Sequence, residues 1–368
     1  LKLVQCLSCG LVQLAHTIDP DSAYRQYWYK SSLNRSMVKA LEEVVAGVIK
    51  RQPLAAGDIV VDIGANDGTL LSLYRADLTK VGFDPARNLA EEGRKRCTVF
   101  VNDYFSAALY PMPRPAKVVT SIAMFYDLDD PRRFIRDVTG ILAEDGIWVI
   151  QMTDLVSMLK ANAFDNICME HLEYYSLSVL ERLMAGHGLS IFDIEFNAVN
   201  GGSVRTYLCR AGARTPAAAV AQALQNEREY LDSFGDPFGA FQGRVAAIKE
   251  RVLNFVTAEV QKQRSFCVMG ASTKGNTLLQ YFGLDHRLIS YAAEINAEKI
   301  GLKTVGTDII IIPESLALER RPDYCLVLPW HFIHNFVERH QPYLAAGGKF
   351  MVPLPDPAVI DQRGWTYL

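Results

Sequence analysis

A chain of 368 residues with 49% apolar and 21% charged side chains is an ordinary globular sequence, long enough for two full-sized cores. Its 38 basic and 41 acidic residues leave a net charge of −3, which points to no nucleic acid and no anionic membrane as partner. No apolar run reaches the roughly 20 residues of a membrane helix, no signal peptide is visible, and seven cysteines, mostly in apolar segments, suggest no disulfide framework. The expectation is a cytoplasmic protein, monomer or homodimer.

Near the amino end stands Gln5-Cys6-Leu7-Ser8-Cys9-Gly10. Cys-x-x-Cys followed by glycine is the knuckle in which two thiolates and backbone N–H groups hold zinc, and a structural zinc takes four ligands. Cys6 and Cys9 are therefore either half of a site whose first pair precedes Leu1 or a reduced pair without metal; His16 reads better as a surface residue than as a third ligand. Four aromatics then crowd six positions, Tyr24-Arg25-Gln26-Tyr27-Trp28-Tyr29. Either they clamp a small amino-terminal module onto the core domain, or they bring a hydroxyl, of Tyr27 or Tyr29, over an active site. Residues 37–49 repeat apolar side chains at helical spacing.

Val60-Val61-Asp62-Ile63-Gly64-Ala65-Asn66-Asp67-Gly68-Thr69-Leu70-Leu71 is an apolar run, a glycine-bearing loop and a helix start. Open α/β sheets bind nucleotide-like ligands at such junctions. The next strand-like run ends at Asp84, about 20 residues past the loop, where a carboxylate can meet ribose hydroxyls. The loop lacks the G-x-G-x-x-G triplet of dinucleotide sites, and its acids would repel a pyrophosphate but welcome a cationic sulfonium. It resembles motif I of the class I S-adenosylmethionine (SAM)-dependent methyltransferases, and Asp84 resembles their ribose-binding acid. That resemblance implies a SAM site made by Asp62, Gly64, Asn66, Asp67 and Asp84. The plainer alternative is an α/β turn with Asp62 and Asp67 capping a helix.

A helix over residues 88–96 and a strand over 97–101 lead to Asn102-Asp103-Tyr104-Phe105. In this fold an acid and an aromatic after the third strand sit where adenine binds, so Asn102, Asp103 and Phe105 are cofactor candidates; the alternative is an N-cap at Asp103 with a core aromatic. Residues 117–122 form a fourth strand, with Ser121 toward its carboxyl end as a further candidate. Asp130-Pro131 starts a helix, and residues 141–151 read as helix end, turn and fifth strand. The alternation predicts an α/β domain with a parallel sheet.

Cys168-Met169-Glu170-His171-Leu172-Glu173-Tyr174-Tyr175-Ser176 follows. A histidine beside a carboxylate suits general-base work near neutral pH, though Glu170 and His171 also read as neighbours on a solvated loop. Asn200-Gly201-Gly202-Ser203 reads as a loop that lets backbone approach a ligand. Residues 216–251 read as a helical bridge broken at 234–243. A second strand–loop–helix at 265–279 lacks the P-loop's Gly-Lys-Ser/Thr, yet Ser272, Thr273, Lys274 and the helix amides make an anion site. Strands over 289–294, ending at Glu294, and over 307–312, 324–329 and 347–352 complete a second Rossmann-like domain. His331 and His334 have helical spacing but no nearby acid, and read as surface or interdomain residues.

Taken together, the chain resembles, over essentially its whole length, the SAM-dependent C-methyltransferases of nucleotide-activated deoxysugars, the NDP-4-ketosugar C-3-methyltransferases. The marks are the zinc knuckle, Tyr27-x-Tyr29-x-Ser31-Ser32, Gly64-Ala65-Asn66-Asp67-Gly68, Glu170-His171-x-x-Tyr174-Tyr175-Ser176 and Asn200-Gly201-Gly202-Ser203. The resemblance implies His171 as the base, Glu170 and Tyr174 as substrate contacts, and Tyr29, Tyr27 or donors near Asn200 as oxyanion stabilisers. It implies that the second domain, through Ser272, Lys274, Asn276 and Glu294, holds the nucleotide diphosphate. The family usually carries Tyr-His-Glu-His or Cys-His-Glu-His where this chain has Cys168-Met169-Glu170-His171, so an imidazole is missing. The alternatives are an O-methyltransferase of a sugar or related small molecule and a sugar-nucleotide-binding protein without catalysis. The expected layout is a zinc-knuckle and aromatic module over 1–36, a methyltransferase domain over 37–210, a bridge over 211–260 and a substrate domain over 261–368.

Overall fold

The computed structural model describes residues 1–368. They divide into two compact units, Leu1–Val156 with Met169–Asp232, and Ser157–Cys168 with Ser233–Leu368. No helix is long and apolar enough to cross a membrane.

In the first unit β1 (Leu3–Gln5) and β2 (Val12–Leu14) form a hairpin around the cysteine turn. Parallel strands β3 (Ile59–Ile63), β4 (Thr79–Phe83), β5 (Val99–Val101), β6 (Ala116–Ile122) and β7 (Leu142–Thr153) follow. A short β8 (Glu173–Tyr174) pairs with β2, which joins the amino-terminal hairpin to this unit. Antiparallel β9 (Leu189–Asn197) and β10 (Ser203–Arg210) close a seven-stranded sheet of order β5-β4-β3-β6-β7-β10-β9. The order reverses between β3 and β6, and at that point the loops on both sides open toward a ligand.

The alternation of strand side chains builds two apolar layers. Ile59, Val61 and Ile63 pack with Ile135, Val138, Trp148 and Ile150 on one face. Val60 packs with Val44, Val48, Val118, Val149 and Tyr207 on the other. Helix Arg35–Arg51, capped by Asn34, buries Leu41, Val44, Val45 and Val48, an i, i+3, i+4, i+7 stripe. It crosses the sheet at Gly47, where a Cβ would lie 2.2 Å from the Tyr207 hydroxyl.

The second unit carries β11 (Phe266–Met269), β12 (Tyr291–Glu294), β13 (Ile311–Pro313), β14 (Tyr324–Val327), β15 (Lys349–Val352), β16 (Ala358–Asp361) and β17 (Gly364–Tyr367). Their order is β13-β12-β11-β14-β15-β16-β17, with the first five parallel and the last two an antiparallel hairpin. The expected bridge over 211–260 divides between the units. Helix Ala218–Asp232 belongs to the first, where Glu227 accepts from the backbone N–H of Leu177 and Ser178 and so caps helix Leu177–Ala185. Helix Pro237–Gln261, capped by Asp236, buries Phe241, Val245, Ile248, Val252 and Val256 within the second. Each helix has its own apolar stripe to cover, and the break falls at residues 233–236.

Candidate active site

The loop after β3 turns at Gly64 (φ +76°), where a Cβ would stand 3.1 Å from Met124 Cγ. Asp62 is buried and accepts a 2.6 Å bond from Thr120 Oγ1. Burial pushes its pKa up to about 7; the Thr120 bond opposes that rise and the charge of Asp84 adds to it. Asp67 accepts from Thr69 N and Oγ1 and pairs with Arg96 at 3.0 Å. Burial would raise its pKa, but the bonds from Ser32, Thr69 and Arg96 hold it below the ordinary value. Asp67 thus accepts from the first residue of the short helix Thr69–Ser72, whose N-cap is Gly68, whereas Asp62 bonds across the sheet to β6.

Asp84, at the end of β4, accepts from the backbone N–H of Asn66 at 2.7 Å and of Ala86 at 2.9 Å. Burial raises its pKa against those two bonds. Each carboxylate oxygen has a second lone pair for a ligand hydroxyl. Asn102 Nδ2 donates to the carbonyls of Asp84 and Ala86, fastening the acid's own loop. Asp103 accepts from Tyr104 N and pairs with Arg25 at 3.1 Å. Phe105 packs edge-on against Phe83 and Phe134, as a core aromatic would, and also borders an open cavity of about 370 Å³ with Asp103, Leu128 and Asp130. Ser121 is wholly buried and its Oγ accepts from Trp148 Nε1, so this side chain serves the core.

The aromatic segment lies across these loops. Asn88 bonds both backbone groups of Tyr27, and Asn66 bonds Tyr29 O and Ser31 N. Tyr29 keeps 40% exposure, yet burial of its phenol raises the pKa; a bond with Ser31 opposes the rise and the Asp67 charge adds to it. Tyr24 Oη donates to Glu170 O, which connects the strap to the histidine segment.

That segment also docks at the end of β6. Leu172 N donates to Tyr126 O, and the His171 ring lies 4.3 Å from the Tyr126 ring, tilted by 51°. Asp127 follows, with one carboxylate oxygen buried and unpartnered; burial, with Glu170 and Glu173 adding charge, lifts its pKa well above the usual range. Glu173 accepts a short hydrogen bond from the Tyr175 phenol, and burial pushes it up to about 8. Tyr174 is buried in the β2–β8 ladder. Asn200 sits in a left-handed turn between β9 and β10 (φ 57°).

In the second unit Ser272 caps helix Thr273–Phe282 by accepting from Gly275 N. Glu294 accepts from the N–H groups of Ala271, Ile295 and Asn296. Lys274 lies 3.5 Å from Asp165, a buried carboxylate that also accepts from Trp330 Nε1. Asn276 Oδ1 is buried without a partner. His331, expected at the surface or between domains, is half-buried: its Nδ1 is enclosed, and burial, with Lys274 beside it, drives its pKa well below the usual value.

Cys6 and Cys9 occupy a knuckle turn with Gly10 at φ +77°. Backbone N–H groups of Cys9 and Ser8, with the Cys9 side chain, lower the Cys6 pKa. No group of three or more His, Cys, Asp or Glu forms around them that could hold a metal, so the residues present do not amount to a zinc site. Sequence reasoning missed Tyr24, Asn88, Asp127 and Asp165; the only signal for Asn88 was its place just after the ribose-type acid.

A family model described as a methyltransferase domain matches residues 35–193, and one described as a C-methyltransferase C-terminal domain matches residues 198–355. The C-methyltransferase NovU of Streptomyces niveus is 32% identical over 366 residues, covering 98% of this chain and 87% of its own. A chain from the complex between the Haloferax volcanii Trm112 methyltransferase activator and a putative methyltransferase is 16% identical, over 48% of this chain and 95% of its own, with TM-score 0.40. The magnesium protoporphyrin IX methyltransferase of Synechocystis PCC 6803 is 13% identical, over 47% of this chain and 79% of its own, with TM-score 0.37.

Proposed function

This chain belongs to the SAM-dependent C-methyltransferases, and we propose that its methyl acceptor is the carbon beside the ketone of a nucleotide-linked sugar. The first unit has the class I SAM methyltransferase fold. Its loop fits the cofactor chemically: Asp67 is held ionised, Asp62 ionises above about pH 7 and a bound cation favours that charged form, Gly64 keeps the turn clear, and Asp84 offers carboxylate oxygens to a ribose. When bound, SAM supplies an electrophilic methyl group.

A carbon beside a ketone is not nucleophilic until its proton is removed. His171 takes that proton, leaving an enolate on the substrate, and then passes the proton to solvent. Tyr29 or Tyr27, with donors near Asn200, hydrogen-bonds the developing oxyanion, and Glu170 and Tyr174 contact the sugar. The observation that carries this assignment is the place of Glu170-His171, tied at once to the end of β6 through Tyr126 and to the strap over the cofactor loop through Tyr24. In the second unit Ser272, Lys274, Asn276 and Glu294 surround the amino end of a helix suited to the nucleotide diphosphate.

Transfer from SAM labelled with ¹³C in the methyl group tests the acceptor. With a panel of nucleotide-linked 4-ketosugars, the matching free ketosugars and free nucleotides, label should appear as a carbon-bound methyl only in nucleotide-linked ketosugars. Label in a methoxyl group, or equal transfer to the free ketosugars, would refute the assignment.

A further inference from the structure

We infer that Asn88 is a positioning residue of the transfer reaction, fixing residues 24–32 across the carboxyl ends of β3, β4 and β5 and so setting where the strap's tyrosines stand. The inference rests on the proposed role of Tyr27 and Tyr29.

Between helix Pro20–Tyr24 and the turn Ser31–Leu33 the chain pairs with no strand. Side chains of the cofactor-side loops take the place of a strand partner. Asn88 Oδ1 accepts from Tyr27 N at 3.0 Å while its Nδ2 donates to Tyr27 O at 2.8 Å. A side-chain amide offers a donor and an acceptor in the planar pairing that satisfies both backbone groups of one residue. Asn66 repeats the device one strand over, with Ser31 N donating to its Oδ1 and its Nδ2 donating to Tyr29 O, both at 3.0 Å. Asp67 accepts from Ser32 N. Toward β5, Arg87 N donates to Arg25 O, and the Arg25 guanidinium pairs with Asp103 and lies 4.8 Å over the Tyr104 ring.

The strap is thus tied to three strand ends by side-chain bonds and by Arg87 N, with Tyr24 reaching on to Glu170 O. Asn66 and Asp67 belong to the cofactor loop itself. Asn88 stands outside it and spends its amide on Tyr27, so it acts on the chemistry only through the strap. A segment outside the sheets that loses both side-chain bonds at one residue opens locally more often, and a misplaced hydroxyl costs rate rather than cofactor affinity.

The test uses the full chain and its Asn88→Ala and Asn88→Asp variants. Amide hydrogen exchange is followed with S-adenosylhomocysteine bound, together with affinity for that ligand and ¹³C-methyl transfer to the nucleotide-linked ketosugar that the wild type accepts. Asn88→Ala should speed exchange over residues 25–32 by about tenfold or more while β3 to β7 stay protected. It should keep S-adenosylhomocysteine affinity within about threefold and lower kcat by roughly ten- to a hundredfold. Asn88→Asp, which keeps the bond from Tyr27 N and loses the one to Tyr27 O, should fall between. Tyr29→Phe should cost less in the Asn88→Ala background than in the wild type. Unchanged strap exchange overturns the inference, and so does a loosened strap with unchanged kcat. The exchange measurement needs no sugar substrate, so a wrong acceptor assignment is told apart from a wrong assignment of Asn88.

Discussion

The two seven-stranded sheets share a parallel core of the same order and one local device. Each carries, at or just after the end of its second strand, an acid that accepts from one N–H of the glycine-bearing loop beside it and from its own turn: Asp84 from Asn66 and then Ala86, Glu294 from Ala271 and then Ile295 and Asn296. Above that common frame the charges differ. The first loop carries Asp62 and Asp67 under an aromatic strap; the second carries a serine-capped helix and a lysine set against a buried aspartate. In the proposed scheme one fold offers one face to a cation and another to the anionic end of a substrate, and the difference lies in loops rather than strands.

The sharpest way to break this contrast is His171→Ala, which should cut turnover by about 10²- to 10⁴-fold with S-adenosylhomocysteine affinity kept. Normal turnover would remove the base from the scheme.

Asp62 gives the next largest effect. An unfolded aspartate titrates near ~3.9, whereas the folded group is raised to about 7, so the folded state holds the proton more tightly. Its contribution is present below pH ~4 and is lost as pH rises through about 7, by roughly 3–4 kcal/mol in full. Denaturant titrations from pH 4 to 8 should show a steeper slope in the wild type than in Asp62→Asn, where the raised Glu173 and Asp127 leave the remainder. A slope equal in both would contradict the burial of this acid.

Asp84→Ala should weaken S-adenosylhomocysteine binding by about 1.5–3 kcal/mol, while Glu294→Ala leaves it unchanged and weakens binding of the nucleotide end. Calorimetry showing the same loss for both would erase the division of labour. Smallest, Asp165→Asn should free the charge of Lys274 and tighten inorganic pyrophosphate binding by roughly three- to tenfold. Weaker binding would mean that the lysine is not the anion's partner.

Much of the architecture was legible because strands buried on both faces show as apolar runs ending in acids, as at Asp62, Asp84 and Glu294. The helical stretch after Arg210 was misjudged because a helix's apolar stripe does not say which core it covers. His331 read as a surface or interdomain residue because nothing within its own segment announces Lys274 or the enclosure of its ring. Asn88 and Tyr24 were illegible for a related reason: their partners are backbone groups, Tyr27 N and O and Glu170 O, and a backbone group leaves no mark in sequence. The cysteine pair is a strong local pattern with no further ligand beside it among residues 1–368.

The central claim is proton removal by His171 from the carbon beside a ketone. The most direct measurement is proton NMR in D₂O with the enzyme, S-adenosylhomocysteine and nucleotide-linked 4-ketosugars. The signal of the proton on the carbon beside the ketone should disappear with wild-type enzyme and persist with His171→Ala. A signal that persists with wild type, or that vanishes equally in the variant, would contradict the account.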